Sequence, residues 1–361
     1  MKRFAILLLV FLSACLAPRP DLPSPVAADA RKLLVVYTGN LLAELKPCGC
    51  AKEEDQGGIE RRMQYLNDIR KSKPNLLLLD TGDHFKEPTR QGKLKAQTLM
   101  TATEKMSYDA VALGERDLVY GSKFLENHPI PFISSNITLQ NFPLQKTRIK
   151  EFPNELKVAV MAIVDPDLFY LKNHAGLSIS DPEQIVTQEI ERIQKSADII
   201  VLLTHMEKEK ALNYLDKDGV DIVINGHISN ETDTVDMKPI YKAEKVFLQS
   251  SPRGQKMGEL HITLDEMGKI TFEQDMVKLD SSINKDPEML KLYQSYNDEV
   301  EAIFFESLTA KRNKDKVSVY AGDTTCKNCH SVAHDKWSSS RHGRAYETVS
   351  YTHLRAHETD S

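Results

Sequence analysis

The sequence has no basic run. Its formal charge is -5, and its lysines and arginines are interspersed with acids along most of the chain, so nothing points to nucleic acid as a partner. Apolar length is missing too: Phe4 to Leu12 is too short to span a bilayer, which takes about 20 residues. Cysteine is scarce, with five in 361 residues, so each one needs an occupation. What is present is 41% hydrophobic content, enough to bury a large core in one big or two modest domains.

The short apolar run is explained by its flanks. Met1-Lys2-Arg3 is a positive n-region, and Leu12-Ser13-Ala14-Cys15 has the form of a lipobox. The expectation is a signal peptide over 1–14, lipidation of Cys15, and a proline-rich tether over 15–31. That anchors the protein to a bacterial membrane on its periplasmic or cell-surface side, with the membrane as partner through the lipid.

Beyond the tether, buried strands alternate with helices. Lys32 to Thr38 and Leu76 to Leu79 are apolar strands, and Ile59, Met63, Leu66 and Ile69 recur at helical spacing between them. Leu94 to Met106 and Pro182 to Lys195 read as further helices. Val158 to Val164, Ile199 to Leu203, Asp221 to Ile224, Phe247 to Ser250 and Gly258 to Leu264 read as further strands. Several strands end in polar residues: Asp80-Thr81-Gly82-Asp83, Gly114-Glu115-Arg116-Asp117, Thr204-His205 and Gly226-His227. This is the pattern of an α/β domain whose site lies on the loops at the strand ends. The domain is expected over 32–283, followed by a Glu- and Lys-rich helical linker over 284–316.

The next segment, 317–348, carries Cys326-Lys327-Asn328-Cys329-His330. Two thiols at this spacing add to haem vinyl groups while the adjacent histidine reaches the iron, so Cys326 and Cys329 are expected to attach c-type haem with His330 as axial ligand. With Trp337, Ser340, His342 and Ala345, the segment resembles the first haem segment of multihaem cytochromes of the nitrifier tetrahaem type. The resemblance implies His342 as a distal axial ligand, a small helical cytochrome domain, several haems in a longer protein, and a redox partner protein. Residues 349–361 read as translated adapter sequence, so His353 and His357 are not taken as a metal site.

The larger domain carries Gly57-Gly58-Ile59-Glu60-Arg61-Arg62, Leu79-Asp80-Thr81-Gly82-Asp83, Tyr108 to Gly114, Ser135-Asn136, Leu203-Thr204-His205 and Asn225-Gly226-His227 in order. From Leu33 to roughly Leu264 it resembles the calcineurin-like metallophosphoesterases, in particular the N-terminal domain of bacterial 5′-nucleotidases. The resemblance implies a four-layered α/β/β/α sandwich with a metal site between two sheets. It also implies a second, nucleotide-gripping domain, whose place here is taken by the linker and the haem segment.

Several ligands of that family are changed. Its Asp-x-His pair falls on Asn40 and Leu42, its Gly-Asn-His-Glu on Gly114-Glu115-Arg116-Asp117, and its Gly-His-x-His on Gly226-His227-Ile228-Ser229. One metal position thus keeps little beyond Asp83. The other keeps Asp83, Glu115, His205 and His227, a set suited to one Zn²⁺, Mn²⁺ or Fe²⁺. Arg116 either contacts a bound phosphate or pairs with Glu115 or Asp83. Cys48 and Cys50, on the loop after the first strand, form a redox or disulfide pair, add ligands to the metal, or serve structure. The leading expectation is therefore an exported lipoprotein with a degenerate phosphoesterase fold and c-type haem, serving periplasmic electron transfer. An active metal-dependent phosphoesterase acting on a phosphorylated small molecule is the alternative, and a ligand- or partner-binding module on the same fold is a third.

Overall fold

The computed structural model describes residues 31–46, 55–86, 88–169, 176–229, 235–314 (308–314 as backbone) and 323–344. Cys15, Cys48 and Cys50 lie outside these residues, as do 15–30 of the tether and 349–361; Arg31, expected as the last residue of the tether, opens the first strand instead. The chain divides into two compact units, one ending at Tyr296 and one starting at Asn297.

The larger unit is built on two six-stranded sheets. The first has β1 (Arg31–Thr38), β2 (Leu76–Asp80), β3 (Ala110–Ala112) and β4 (Phe132–Ile133) in parallel. The antiparallel pair β13 (Lys256–Leu264) and β14 (Ile270–Lys278) extends it beyond β1. Between β4 and β13 in sequence lie a small antiparallel pair, β5 (Ile137–Leu139) with β8 (Leu177–Ile179), and the second sheet. That sheet joins β6 (Thr147–Glu151), β7 (Lys157–Val164), β9 (Ile199–His205), β10 (Ile222–Asn225), β12 (Lys245–Gln249) and β11 (Ile240–Lys242), parallel through its centre with antiparallel edges.

The central strands read as near-continuous apolar runs because both faces are covered. One set of alternating residues meets between the sheets: Leu33, Val35, Leu77 and Leu79 from the first, Val158, Val160, Val201, Leu203 and Ile224 from the second. On the outer face of the second sheet, Met161, Ile163, Leu202 and Phe247 pack with Val186, Ile190 and Ile193 of a helix (Pro182–Ile193). Helices Ile59–Ser72 and Arg90–Met106 contact each other, and Tyr65 of the former donates to Glu259 of the first sheet. We label these helices α1 (Ile59–Ser72), α2 (Arg90–Met106), α3 (Ser122–Glu126), α4 (Pro182–Ile193) and α5 (Lys208–Leu212), with α6 (Pro287–Lys314) following β14. The result is the expected four-layered α/β/β/α sandwich.

The strong elements fall where the apolar periodicity puts them. α4 is opened by the Asp181 side chain, which accepts the N–H of Gln184, with Pro182 at its first position. β14 has no counterpart in the sequence expectation. Its run ITFEQDMVK mixes polar with apolar residues because one face is only half covered. The smaller unit contains α7 (Asp323–Lys327) and α8 (Ser331–Ser338). No helix among the described residues is long and apolar enough to cross a membrane.

Candidate metal centre

The parallel strands of both sheets deliver their C-terminal ends to one region, as open α/β sheets do. Asp83 follows β2, Glu115 follows β3, His205 is the last residue of β9, and His227 sits just past β10. Ligand atoms of these four residues lie within 4.8 Å of one another. The fold thus brings together all four residues that the sequence nominates for one metal.

Close approach of the two loops depends on glycine. A Cβ on Gly82 would lie 2.5 Å from the Gly114 nitrogen, and one on Gly114 would lie 2.3 Å from Asp83 Oδ1 and 2.7 Å from His205 Cε1. Asp83 itself takes a left-handed backbone conformation with φ 60°, a strained state for a non-glycine residue that the surrounding structure must hold. Its Oδ1 accepts the Arg116 N–H at 3.0 Å. The Asp117 carboxylate accepts the N–H groups of Asp83, His84 and Gly114 at 2.9, 2.8 and 2.7 Å.

Each imidazole is oriented from behind. His205 is fully buried, and its Nδ1 lies 3.0 Å from the Thr81 carbonyl, which can only accept, so Nδ1 carries a proton. Nε2 then faces Glu115 Oε2 at 2.8 Å and Asp83 Oδ2 at 3.4 Å. His227 Nε2 lies 3.4 Å from Glu207 Oε1, and its Nδ1 lies 3.5 Å from Glu115 Oε1. A chain of buried amides supports its backbone: Thr204 donates to Asn225, Asn225 to Gln249, and Gln249 Nε2 to the His227 carbonyl at 3.3 Å.

The short separations are poorly aligned for hydrogen bonds. Glu115 Oε2, His205 Nε2 and His227 Nδ1 are buried and none makes an aligned hydrogen bond. Buried polar atoms are rarely left so. Three such atoms on different loops converge on a shared centre instead of on one another, which is the geometry of ligands around a cation. A two-imidazole, two-carboxylate set fits a divalent transition ion.

Electrostatics agree. Burial pushes the Asp83 carboxyl above the usual range. Burial acts the same way on Glu115, but His205 and His227 outweigh it and hold that carboxyl well below the ordinary value. Burial also opposes charge on His205, yet Asp83 and Glu115 keep its pKa well above normal. The centre attracts positive charge strongly enough to hold a proton there. Arg116 stands beside it, with Nε 3.7 Å from Asp83 Oδ2 and 3.9 Å from Glu115 Oε1.

His84 belongs to the surroundings of the site and was not among the sequence candidates. Its Nδ1 lies 2.9 Å from Asp117 Oδ1 and its Nε2 3.2 Å from Asp80 Oδ1, all three residues being buried. The signal was its place directly after Asp83. The haem candidates lie in the smaller unit: Cys326 and Cys329 are free and exposed, and His330 at the start of α8 and His342 beyond it are exposed.

A two-sheet sandwich with this cluster at its strand ends is a metallophosphoesterase fold of the 5′-nucleotidase type. The chain belongs to the calcineurin-like phosphoesterase family, whose model matches residues 49–230. It is 25% identical over 296 residues to snake venom 5′-nucleotidase of Naja atra, covering 71% of this chain and 55% of that one. It is 24% identical over 299 residues to human 5′-nucleotidase, covering 72% and 52%. The chain thus spans about half the length of these relatives. In fold it is similar to the 5′-nucleotidase precursor of Thermus thermophilus, with TM-score 0.66 and 19% identity over 76% of this chain and 60% of that one.

Proposed function

We propose that the larger unit is a metal-dependent phosphoesterase acting on a small phosphorylated molecule. This reverses the leading expectation from sequence, which put electron transfer first: the family membership and the nucleotidase relatives support hydrolysis, and none of them bears on haem. The observation that carries the proposal is the convergence of Asp83, Glu115, His205 and His227 with three of their ligand atoms unbonded.

Those four residues would hold one Zn²⁺, Mn²⁺ or Fe²⁺. Such an ion polarises a phosphoryl oxygen and acidifies bound water. The chain supplies the rest. Thr81 fixes the His205 tautomer, Glu207 stands behind His227, and Asp117 holds the Asp83 loop in its strained conformation. The test is hydrolysis of p-nitrophenyl phosphate and nucleoside monophosphates by protein loaded with each ion. Turnover should be abolished by chelation and by Asp83→Ala; a metal-loaded protein without turnover on any phosphoester overturns the proposal.

For the smaller unit, the run Cys326-Lys327-Asn328-Cys329-His330 supports covalent c-type haem with His330 and His342 as axial ligands, and the exposure of both free thiols suits attachment. Bound haem would supply one-electron transfer to a redox partner protein. Lipidation at Cys15, and with it a membrane-anchored location, rests on the lipobox alone. Expression in a haem-maturation host should give a reducible c-type spectrum that Cys326→Ala with Cys329→Ala removes. Colourless wild-type protein from such a host overturns the haem assignment.

A further inference from the structure

We propose that the centre takes a single divalent ion, and that the Arg116 guanidinium supplies the second positive charge, balancing Asp83 and Glu115. The proposal deepens the phosphoesterase reading and rests on it.

Two features close the flanks of Asp83. On one side the loop after β1 runs alongside, with the Leu42 N–H donating to the Asp83 carbonyl at 3.1 Å and the Ala43 N–H to the His84 carbonyl. Leu42 is 5% exposed and offers no donor atom to an ion. On the other side Arg116 engages Asp83 twice, through its main-chain N–H on Oδ1 and its side-chain Nε 3.7 Å from Oδ2. The same Nε lies 3.9 Å from Glu115 Oε1.

Among the described residues, the buried Asn40 amide on the loop after β1 is joined by no further cluster of ligating side chains, so a second divalent ion on Asp83 would need a new set of donors. It would also sit within a few ångströms of the guanidinium. Like charges at that separation repel strongly in a site this buried. Among the residues that follow His227, Ser229 is occupied, donating its hydroxyl to Glu207. The four-ligand cluster therefore has the donors for one ion, with a fixed, planar cation in place of another.

The arrangement has a consequence for substrate. A guanidinium matches the paired oxygens of a phosphoryl group, and Arg116 is about a third exposed, whereas Asp83 beside it is buried. A phosphoryl group arriving at the centre would take over the pairing that the carboxylates provide in the free protein. Arg116 thus opposes binding of a cation and favours binding of an anion, and these opposite signs separate its role from a structural one.

The experiment titrates Mn²⁺ into chelator-treated protein, counting bound ions by electron paramagnetic resonance, and then titrates inorganic phosphate into the Mn²⁺ form. Wild type should bind one Mn²⁺ per chain with no exchange-coupled spectrum. Arg116→Met should bind that one ion about tenfold more tightly, since a nearby positive charge is gone, and phosphate about tenfold more weakly. Arg116→Lys, which keeps the charge, should lie near wild type for Mn²⁺ and between the two for phosphate. Two coupled ions in wild type, or parallel loss of both affinities in Arg116→Met, overturn this inference and leave the phosphoesterase reading standing. Absence of any Mn²⁺ binding in wild type overturns both.

Discussion

Asp117 holds Asp83 in place by accepting its main-chain N–H at 2.9 Å, and so fixes a ligand it does not touch through side chains. The same carboxylate takes the N–H groups of Gly114 and His84 and lies 2.9 Å from the His84 ring. One buried side chain therefore ties the loop after β2 to the loop after β3. The cost of the left-handed Asp83 backbone is met by these bonds.

Asp117→Asn removes the charge and turns one acceptor into a donor facing N–H groups. Leaving buried donors unpaired costs about 1–3 kcal/mol each, so a loss of roughly 3 kcal/mol is expected. Urea denaturation checks this, and the variant should also lose metal affinity although no ligand has changed. A stability within about 0.5 kcal/mol of wild type would contradict it.

His84 gives the chelator-treated protein a pH-dependent stability. Burial works against its charged form, but Asp80 and Asp117 prevail and raise its pKa to about 9 from an ordinary 6.5. A group with a raised folded pKa binds its proton more tightly when folded. Its contribution is complete below about pH 6.5 and fades as pH rises through about 9. The stability difference between wild type and His84→Gln should therefore shrink between pH 7 and pH 9.5. A difference that stays flat over that interval would show that His84 is held neutral.

The four clustered residues were legible through the family resemblance, and each sits at or just past the end of an apolar β run. Asp83 follows LLLLD, and His205 closes IIVLLTH. Their supports were not. The Thr81 carbonyl that orients His205 comes from a residue 124 positions away, and main-chain acceptors leave no mark on composition. Glu207 reads as one more surface acid until the fold places it against His227. The amide chain Thr204–Asn225–Gln249 depends on parallel register between β9, β10 and β12, which periodicity does not specify. β14 escaped because its half-covered face dilutes the alternation that marks a strand.

Gly114→Ala separates steric from conformational effects. Gly114 has φ -107°, a backbone that alanine accepts readily. Its Cβ would nonetheless lie 2.3 Å from Asp83 Oδ1 and 2.7 Å from His205 Cε1, so two ligands must move. Metal affinity should fall at least tenfold by isothermal titration, with an unchanged far-ultraviolet circular dichroism spectrum. Wild-type affinity in this variant would mean that the ligands bind metal from positions other than those described.

Metal uptake should expel a proton. Asp83 and Glu115 hold the His205 pKa well above normal against its burial, which favours hydrogen on both ring nitrogens before an ion binds. A metal ligand must present a bare lone pair, and Nδ1 stays committed to the Thr81 carbonyl, so the proton lost is the one on Nε2. The sign follows: apparent affinity rises with pH while His205 is protonated in the free protein, by up to about tenfold per unit. Titration calorimetry at pH 7 in buffers of different ionisation enthalpy measures the release directly, and close to one proton per ion is expected. A buffer-independent heat would show that no proton leaves, and that His205 is neutral before the ion arrives. In that case Glu115 and Asp83 would have to be compensated from elsewhere, and Arg116, with Nε within 4 Å of both, is the residue placed to do it.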